Sequence, residues 1–337
     1  MHFFCLSFSP PICYNRRAMS KADVIFKKMC RDIIDNGTDT RGQAVRPHWA
    51  DGEAAYTIKQ FGVVNRYDLR EEFPAVTLRR TAIKSATDEI IWIWQKKSNN
   101  IHELHSHIWD EWADADGSIG KAYGFQLARK YCWNDITEAG IRQVYGDDFV
   151  VQKVHEGEES LYSGHVLYNA DRQMYMMDQV DKVLYDLKVH PFSRRIMTNL
   201  YDFADLPEMN LYPCAYSCTF NVTEENGQKV LNMVLNQRSQ DTLTANNWNV
   251  CQYAVLLSMI ARDVDMIPGV LLHVIADAHI YDRHVPLVEE LISRPEHPAP
   301  KFWLNPEKHD FYDFTREDVR LDDYETGEQI KDIPVAI

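Results

Sequence analysis

Long hydrophobic runs are missing from this chain: none of its 337 residues belongs to an apolar stretch approaching the roughly 18 needed to cross a bilayer. Paired Cys-x-x-Cys motifs are missing too. The seven cysteines are odd in number and scattered, which argues against a disulfide framework or a zinc site and for a reducing, cytoplasmic setting. Positive charge is outnumbered, 36 Lys and Arg against 50 Asp and Glu, and the formal net charge of −14 argues against a general polyanion binder, because non-specific nucleic-acid binding needs a basic surface. No repeat, low-complexity tract or Pro/Gly/Ser linker divides the chain. Length alone suggests about two domains, yet residues 20–337 read as one large unit. The opening "MHFFCLSFSPPICYNRRAMS" carries its positive charges after its apolar part and is interrupted by Pro10-Pro11, so it does not fit a secretory leader. Residues 1–19 are expected to be a disordered extension. What remains, 45% hydrophobic and 26% charged, is ordinary globular composition.

The most informative stretch is "LYPCAYSCTFNVTEENGQKVLNMVLNQRSQD". Asn226-Gly227 favours a two-residue hairpin turn, since both central residues tolerate positive φ. A regular register then sets Cys214 opposite Ser239 and beside Arg238. A guanidinium next to a thiol favours the nucleophilic thiolate and can also hold an anionic substrate. The bland alternative is an inert buried cysteine, and a bulge would weaken the pairing.

Helical spacing predicts a helix over residues 20–35 ending at Asn36-Gly37, and a second, buried one beginning at "TDEIIWIW". "QMYMMDQVDKVLYDLKVHPFSRR" reads as an amphipathic helix stopped near Pro191 and followed by Arg194-Arg195. The uncharged run Val250 to Ala261 predicts a helix buried nearly all round, with Asn249 as its N-cap on structural grounds alone. "GVLLHVIADAHIY" reads as a buried strand whose Asp277, His279 and Tyr281 share one side. The glycines of "DGSIGKAYG" predict tight turns. "DADG" fails as a calcium loop, because Trp112 and Tyr123 stand where acidic ligands belong.

Together these segments resemble the thymidylate synthase family. The resemblance rests on "YPC" (Cys214), "NQRSQD" (Arg238, Asp241), "WNVCQYAVL" (Asn249), "DAHIY" (His279, Tyr281), "SRR" (Arg194, Arg195), "IWDEWAD" (Trp109, Trp112) and the closing "IPVAI", in family order from about residue 25 to Ile337. It implies an α+β fold: one large domain with a mixed β-sheet flanked by helices, two such sheets packing face to face in a homodimer. It implies reductive methylation of deoxyuridine monophosphate (dUMP), with 5,10-methylenetetrahydrofolate supplying the one-carbon unit and the hydride, and no metal. Cys214 would add to C6 of uracil. Arg46 (Arg41 second), Arg238, Ser239 and the partner's Arg194-Arg195 pair would hold the phosphate. Asn249 would read the base, and His279 and Tyr281 the deoxyribose. Glu89 and Tyr123 would serve proton transfer, Trp109, Trp112 and Asp241 would contact folate, and the tail containing Ala336 would close over both ligands.

Some positions depart from the family pattern. Ala215 follows the cysteine where histidine is usual, "TANNWN" replaces "LGxPFN", and Trp248 for phenylalanine reads as a packing change. The loop over residues 36–56 lacks a legible Gly/Thr-rich turn, and residues 135–172 read as an acidic insertion without a derivable role. The nearest rival reading is a pyrimidine-nucleotide hydroxymethylase, whose cytosine form would carry aspartate where Asn249 stands. A rival from another class is a non-catalytic nucleotide- or RNA-binding protein on the same fold. The resemblance also leaves room for binding of the protein's own messenger RNA as a second activity.

Overall fold

Residue 226 takes φ 52° and Gly227 φ 77°, so the Asn-Gly turn closes its hairpin with both central residues in the left-handed region. That hairpin is the middle of the main sheet of this computed structural model, which describes residues 19–337. The extension expected at the N-terminus lies, but for Met19, outside the described residues. Seven strands build the sheet: β1 (Thr38–Asp39), β2 (Thr57–Asp68), β3 (Met197–Asn199), β4 (Ala215–Glu225), β5 (Gln228–Gln237), β6 (Gln240–Asp241) and β7 (Ile267–Tyr281). Their spatial order is β1-β2-β7-β5-β4-β3, with β6 beside β7. β5 and β6 run parallel to β7 and the other pairings are antiparallel, so the sheet is mixed.

Alternation sends one face of each strand into the core: Cys218 and Phe220 from β4, Leu231, Met233 and Leu235 from β5, Leu271 and Ile275 from β7. Each fully buried apolar side chain of this kind contributes roughly 1.5–3 kcal/mol. Against that face pack helices α1 (Lys21–Asn36), α2 (Ile83–Trp94), α3 (Gln179–Val189) and α4 (Asn246–Asp263). Every residue of α4 from Val250 to Ala261 is buried, as its lack of charge requires. Among the described residues no helix is long and apolar enough to cross a membrane.

Three local expectations change. Met174–Met177 is a strand rather than the start of a helix, because Asp178 caps α3 by accepting the N–H groups of Val180 and Asp181. α3 is buried along nearly its whole length rather than on one face, its charges being paired: Lys182 lies 2.6 Å from Asp186, and Lys97 lies 2.5 Å from Asp178. α4 begins at Asn246 behind Ala245, so Asn249 is no N-cap but sits within the helix, its side chain free for other partners. The insertion forms part of a four-stranded sheet (Tyr131–Trp133, Gln152–Val154, Leu167–Asn169, Met174–Met177) with its own small core of Ile136, Ile141, Val166, Met177 and Tyr185.

Candidate active site

The thiol reaches its arginine through an irregularity. From the turn up to Ser217 the hairpin keeps its regular register, then slips: Ser217 pairs with Asn236, but Ala215 pairs with Gln237. Tyr216 is the extra residue of a β-bulge. The one-residue shift sets Cys214 against Arg238 itself rather than Ser239, and the Arg238 backbone N–H donates to the Cys214 carbonyl at 2.9 Å. The bulge therefore tightens the contact it was expected to weaken. The Arg238 guanidinium is aimed by the loop before the cysteine, donating to Tyr212 O at 2.7 Å and Pro213 O at 3.0 Å, and its Nη2 lies 3.7 Å from Cys214 Sγ.

The resting thiol is not the thiolate its neighbour suggested. Burial pushes Cys214 above its ordinary value, and the opposing pull of Arg238 and Arg46 does not reverse the shift. Cys214 is only partly enclosed, whereas Cys218 and Cys251 are fully in the core. Arg46 is exposed, and its charge is felt at Cys214 and at Tyr281. Arg41, the second choice in that loop, is turned away onto Asp39. Ser239 is half-buried immediately after Arg238. Arg194 and Arg195 are exposed and make no ion pair within the chain among the described residues.

Behind the thiol, α2 delivers Glu89 into a closed cage. Its carboxyl accepts from the indole N–H of Trp109 at 3.0 Å and of Trp248 at 2.6 Å. Burial drives its pKa to about 7, although both indoles favour the charged form. A carboxyl poised there can take or give a proton near neutrality. Tyr123 stacks edge-on against Trp109 at 5.0 Å, and its hydroxyl accepts the Cys214 backbone N–H at 3.2 Å. Its backbone is held at φ 47°, an uncommon state for a bulky residue and one typical of positions under functional constraint. Burial keeps its phenol protonated. Trp112 meets Trp109 edge-on at 5.9 Å, extending the aromatic wall.

Asn249 lies between two glutamines. Gln237 Nε2 donates to its Oδ1 at 3.1 Å, and its Nδ2 donates to Gln252 Oε1 at 3.0 Å. Gln237 in turn meets buried His273 at 2.7 Å. At the far end of β7 the expected face forms: His279 Nδ1 contacts Asp277 at 2.8 Å, and the ring of Tyr281 lies 5.1 Å from that of His279. Asp241 accepts from Leu243 N, Thr244 N and Thr244 Oγ1 at 2.9, 3.1 and 2.6 Å. Burial alone would raise its pKa, but His284 and these bonds hold it below the ordinary range. The tail, expected to close over both ligands, docks onto the chain itself: Ile337 exchanges two backbone hydrogen bonds with His48, at 2.8 and 3.0 Å, and Pro334 O meets His284 Nε2 at 2.7 Å. Ala336 sits inside that clasp, and His48, its partner in the loop, is two residues along from Arg46.

Gln237, Gln252 and His273 have no place in the sequence reading, and Trp248, read there as a packing change, instead donates its indole N–H to Glu89. Gln237 and His273 did carry a signal: each is polar at an inward position of an otherwise apolar strand face, between or beside Leu235, Leu271 and Ile275. Trp248 carried none, since only the approach of α2 to α4 reveals what its N–H meets. A separate cleft of about 790 Å³ opens beside the insertion, lined by Lys97, Arg129, Lys130, His165, Asp178 and Asp181. Its acidic pair is neutralised by Lys97 and His165, and none of the groups around Cys214 lines it.

Known proteins resemble this chain in sequence and in fold. The family model described as thymidylate synthase matches residues 24–337. A thymidylate synthase from Bacillus mojavensis is 35% identical over 316 residues, covering 93% of this chain and 98% of the relative. Thymidylate synthase 1 of Bacillus subtilis strain 168 is 34% identical with the same coverage. The solved structure of thermostable thymidylate synthase A from Bacillus subtilis superposes with a TM-score of 0.76 at 34% identity, covering 94% of this chain and 99% of that one.

Proposed function

The chain belongs to the thymidylate synthase family, and on that premise we propose how its own residues run the reaction. The enzyme is a methyltransferase that reductively methylates dUMP to thymidine monophosphate. The relatives carry the synthase name over nearly their whole length, and neither the hydroxymethylase nor the non-catalytic reading is favoured. The observation that carries the assignment of roles is the 3.7 Å contact of Arg238 Nη2 with Cys214 Sγ.

In this reading the dUMP phosphate meets Arg238, Ser239 and Arg46 of one subunit together with Arg194 and Arg195 of a second. The Cys214 thiol loses its proton as the site fills, and its sulfur bonds to C6 of the uracil ring, leaving C5 electron-rich. 5,10-Methylenetetrahydrofolate, lying against Trp109, Trp112 and Asp241, supplies the one-carbon unit and the hydride and departs as dihydrofolate. Glu89 manages the protons around the ring, and Tyr123, one hydrogen bond from the Cys214 backbone, assists removal of the C5 proton; hydride transfer to the one-carbon unit then restores the C5–C6 double bond and expels the Cys214 sulfur from C6 as the thiolate. His279 and Tyr281 hold the deoxyribose hydroxyl. The clasp of the tail on His48 and His284 keeps water from the reacting centre. The five described cysteines are free thiols, in keeping with work in the reducing cytoplasm.

The second subunit fits the outer face of the sheet. Arg66, Leu272, Val234, Thr219 and Met197 lie in one cross-strand row on that face, and Phe61 and Val64 are 90% and 56% exposed. An apolar sheet face of this extent fits a second copy of itself across a two-fold axis.

A spectrophotometric assay for dihydrofolate tests the whole reading. Purified protein with dUMP and methylenetetrahydrofolate should generate it at an enzymatic rate, whereas consumption of the methylene group without dihydrofolate would signify hydroxymethylation instead. A finer test concerns Glu89. With its carboxyl near 7, kcat/KM should rise with pH through about that value as Glu89 ionises. Trp248→Phe deletes a 2.6 Å hydrogen bond that favours the ionised form. A charge-assisted bond of this kind is worth about 1.5–3 kcal/mol, which moves a titration by about one to two pH units. The limb should shift toward alkaline pH by about one unit, and an unmoved limb would remove Glu89 from its role.

A further inference from the structure

The base-reading amide of Asn249 can face either way in principle, and the two orientations select opposite bases. Its Oδ1 has two lone pairs and its Nδ2 two protons. Gln237 uses one lone pair and Gln252 one proton, which leaves one acceptor on oxygen and one donor on nitrogen. Uracil presents the matching pattern, a donor at N3 and an acceptor at O4. Cytosine presents the reverse. The question is what prevents the amide from turning over.

We propose that buried His273 is a specificity-determining residue: its Nε2–H fixes the Gln237 amide, which fixes Asn249 in the uracil-reading orientation. His273 projects from the middle of β7 with no solvent exposure, its Nε2 lies 2.7 Å from Gln237 Oε1, and its Nδ1 has no hydrogen-bond partner among the described residues. Burial pushes the imidazole down to about 3, so the ring is neutral and carries one proton. With the proton on Nε2 it donates to Gln237 Oε1, and the bare Nδ1 lone pair is what goes unpartnered. Turning Asn249 over would bring its Nδ2 against Gln237 Nε2, donor against donor. Gln237 would have to turn as well, and His273 would then have to carry its proton on Nδ1, stranding an N–H in the core, where orphaned donors are rare. The other end of the chain is anchored in the same sense. Gln252 lies on the Glu89 side, where it favours the ionised form, and its Nε2 is buried without a hydrogen-bond partner among the described residues; reversal would turn its oxygen toward that carboxylate. His273, Gln237, Asn249 and Gln252 therefore form one polarised row, directed from a neutral imidazole to a carboxyl.

This inference rests on Asn249 reading the base, as proposed above, and the experiment separates the two. Equilibrium binding of dUMP and dCMP is measured for the wild type, His273→Phe, Gln237→Glu and Asn249→Ala, with Tm recorded for each. His273→Phe releases Gln237, so the preference for dUMP over dCMP should fall by about tenfold, the order expected when a buried polar match is lost. Gln237→Glu replaces an amide with an acceptor-only group, which demands the Asn249 Nδ2 and turns the amide over, so dCMP affinity should rise in absolute terms. Loss of packing alone cannot produce that gain. A folded His273→Phe or Gln237→Glu protein that weakens both nucleotides equally, or neither, overturns the proposal. If Asn249→Ala also leaves the preference unchanged, the base-reading role of Asn249 fails with it; if Asn249→Ala abolishes the preference, only the part played by His273 is wrong. Should a variant fail to fold, ¹⁵N chemical shifts of the wild-type imidazole decide: protonation on Nε2 is expected, and protonation on Nδ1 refutes the orientation.

Discussion

Cys214→Ala should abolish dihydrofolate production while leaving dUMP binding within about tenfold of the parent. The substitution removes the only atom able to bond C6, and deleting a nucleophile costs on the order of 10⁴-fold or more in turnover. It leaves the phosphate and base contacts untouched. Arg238 is held by the carbonyls of Tyr212 and Pro213, which the alanine retains, so the guanidinium keeps its place. The contrast with the other thiols makes the test sharp. Cys218 lies within the core on β4 and Cys251 within α4, and burial pushes their pKa values upward, that of Cys251 to about 12. Their replacement by alanine should lower Tm, since losing a buried sulfur costs about 1 kcal/mol or more, and should leave turnover largely in place. If alkylation and substitution identified Cys218 or Cys251 as the essential thiol, the site described around Arg238 would be wrong.

Arg194→Ala/Arg195→Ala should be nearly as inactive, and mixing it with Cys214→Ala should restore activity. Both arginines are exposed in the free chain without an ion-pair partner among the described residues, while the phosphate site of the same chain already holds Arg238. In a two-fold dimer with shared sites, one heterodimer site combines both defects and the other combines none. Random exchange then makes roughly a quarter of all sites intact. Activity near that fraction of wild type is expected once subunit exchange has been demonstrated by mass or by tag capture. No recovery despite exchange would mean that the arginine pair serves its own subunit or no site at all. Fully wild-type turnover by the double variant alone would remove the pair from the phosphate site.

Much of this enzyme is legible in its sequence, because the relevant signals are local. Asn226-Gly227 specifies a turn through its own φ preferences, the uncharged run from Val250 to Ala261 demands burial on all sides, and alternation along Ile267–Tyr281 puts Asp277, His279 and Tyr281 on one face. These properties follow from steric and solvation rules acting over a few residues, and ordered motifs along the chain then supply the chemistry. Tertiary structure decided what depends on the meeting of distant segments. The bulge at Tyr216 chooses Arg238 over Ser239 as the partner of Cys214, because a single extra residue shifts every pairing beyond it. The cage of indoles around Glu89 joins residues 89, 109 and 248, and its depth sets a carboxyl near 7 that no pattern of neighbours in sequence encodes. The protonation of Cys214 went against its nearest cation for the same reason: desolvation is a property of everything packed around a group, and here it outweighs one guanidinium beside it.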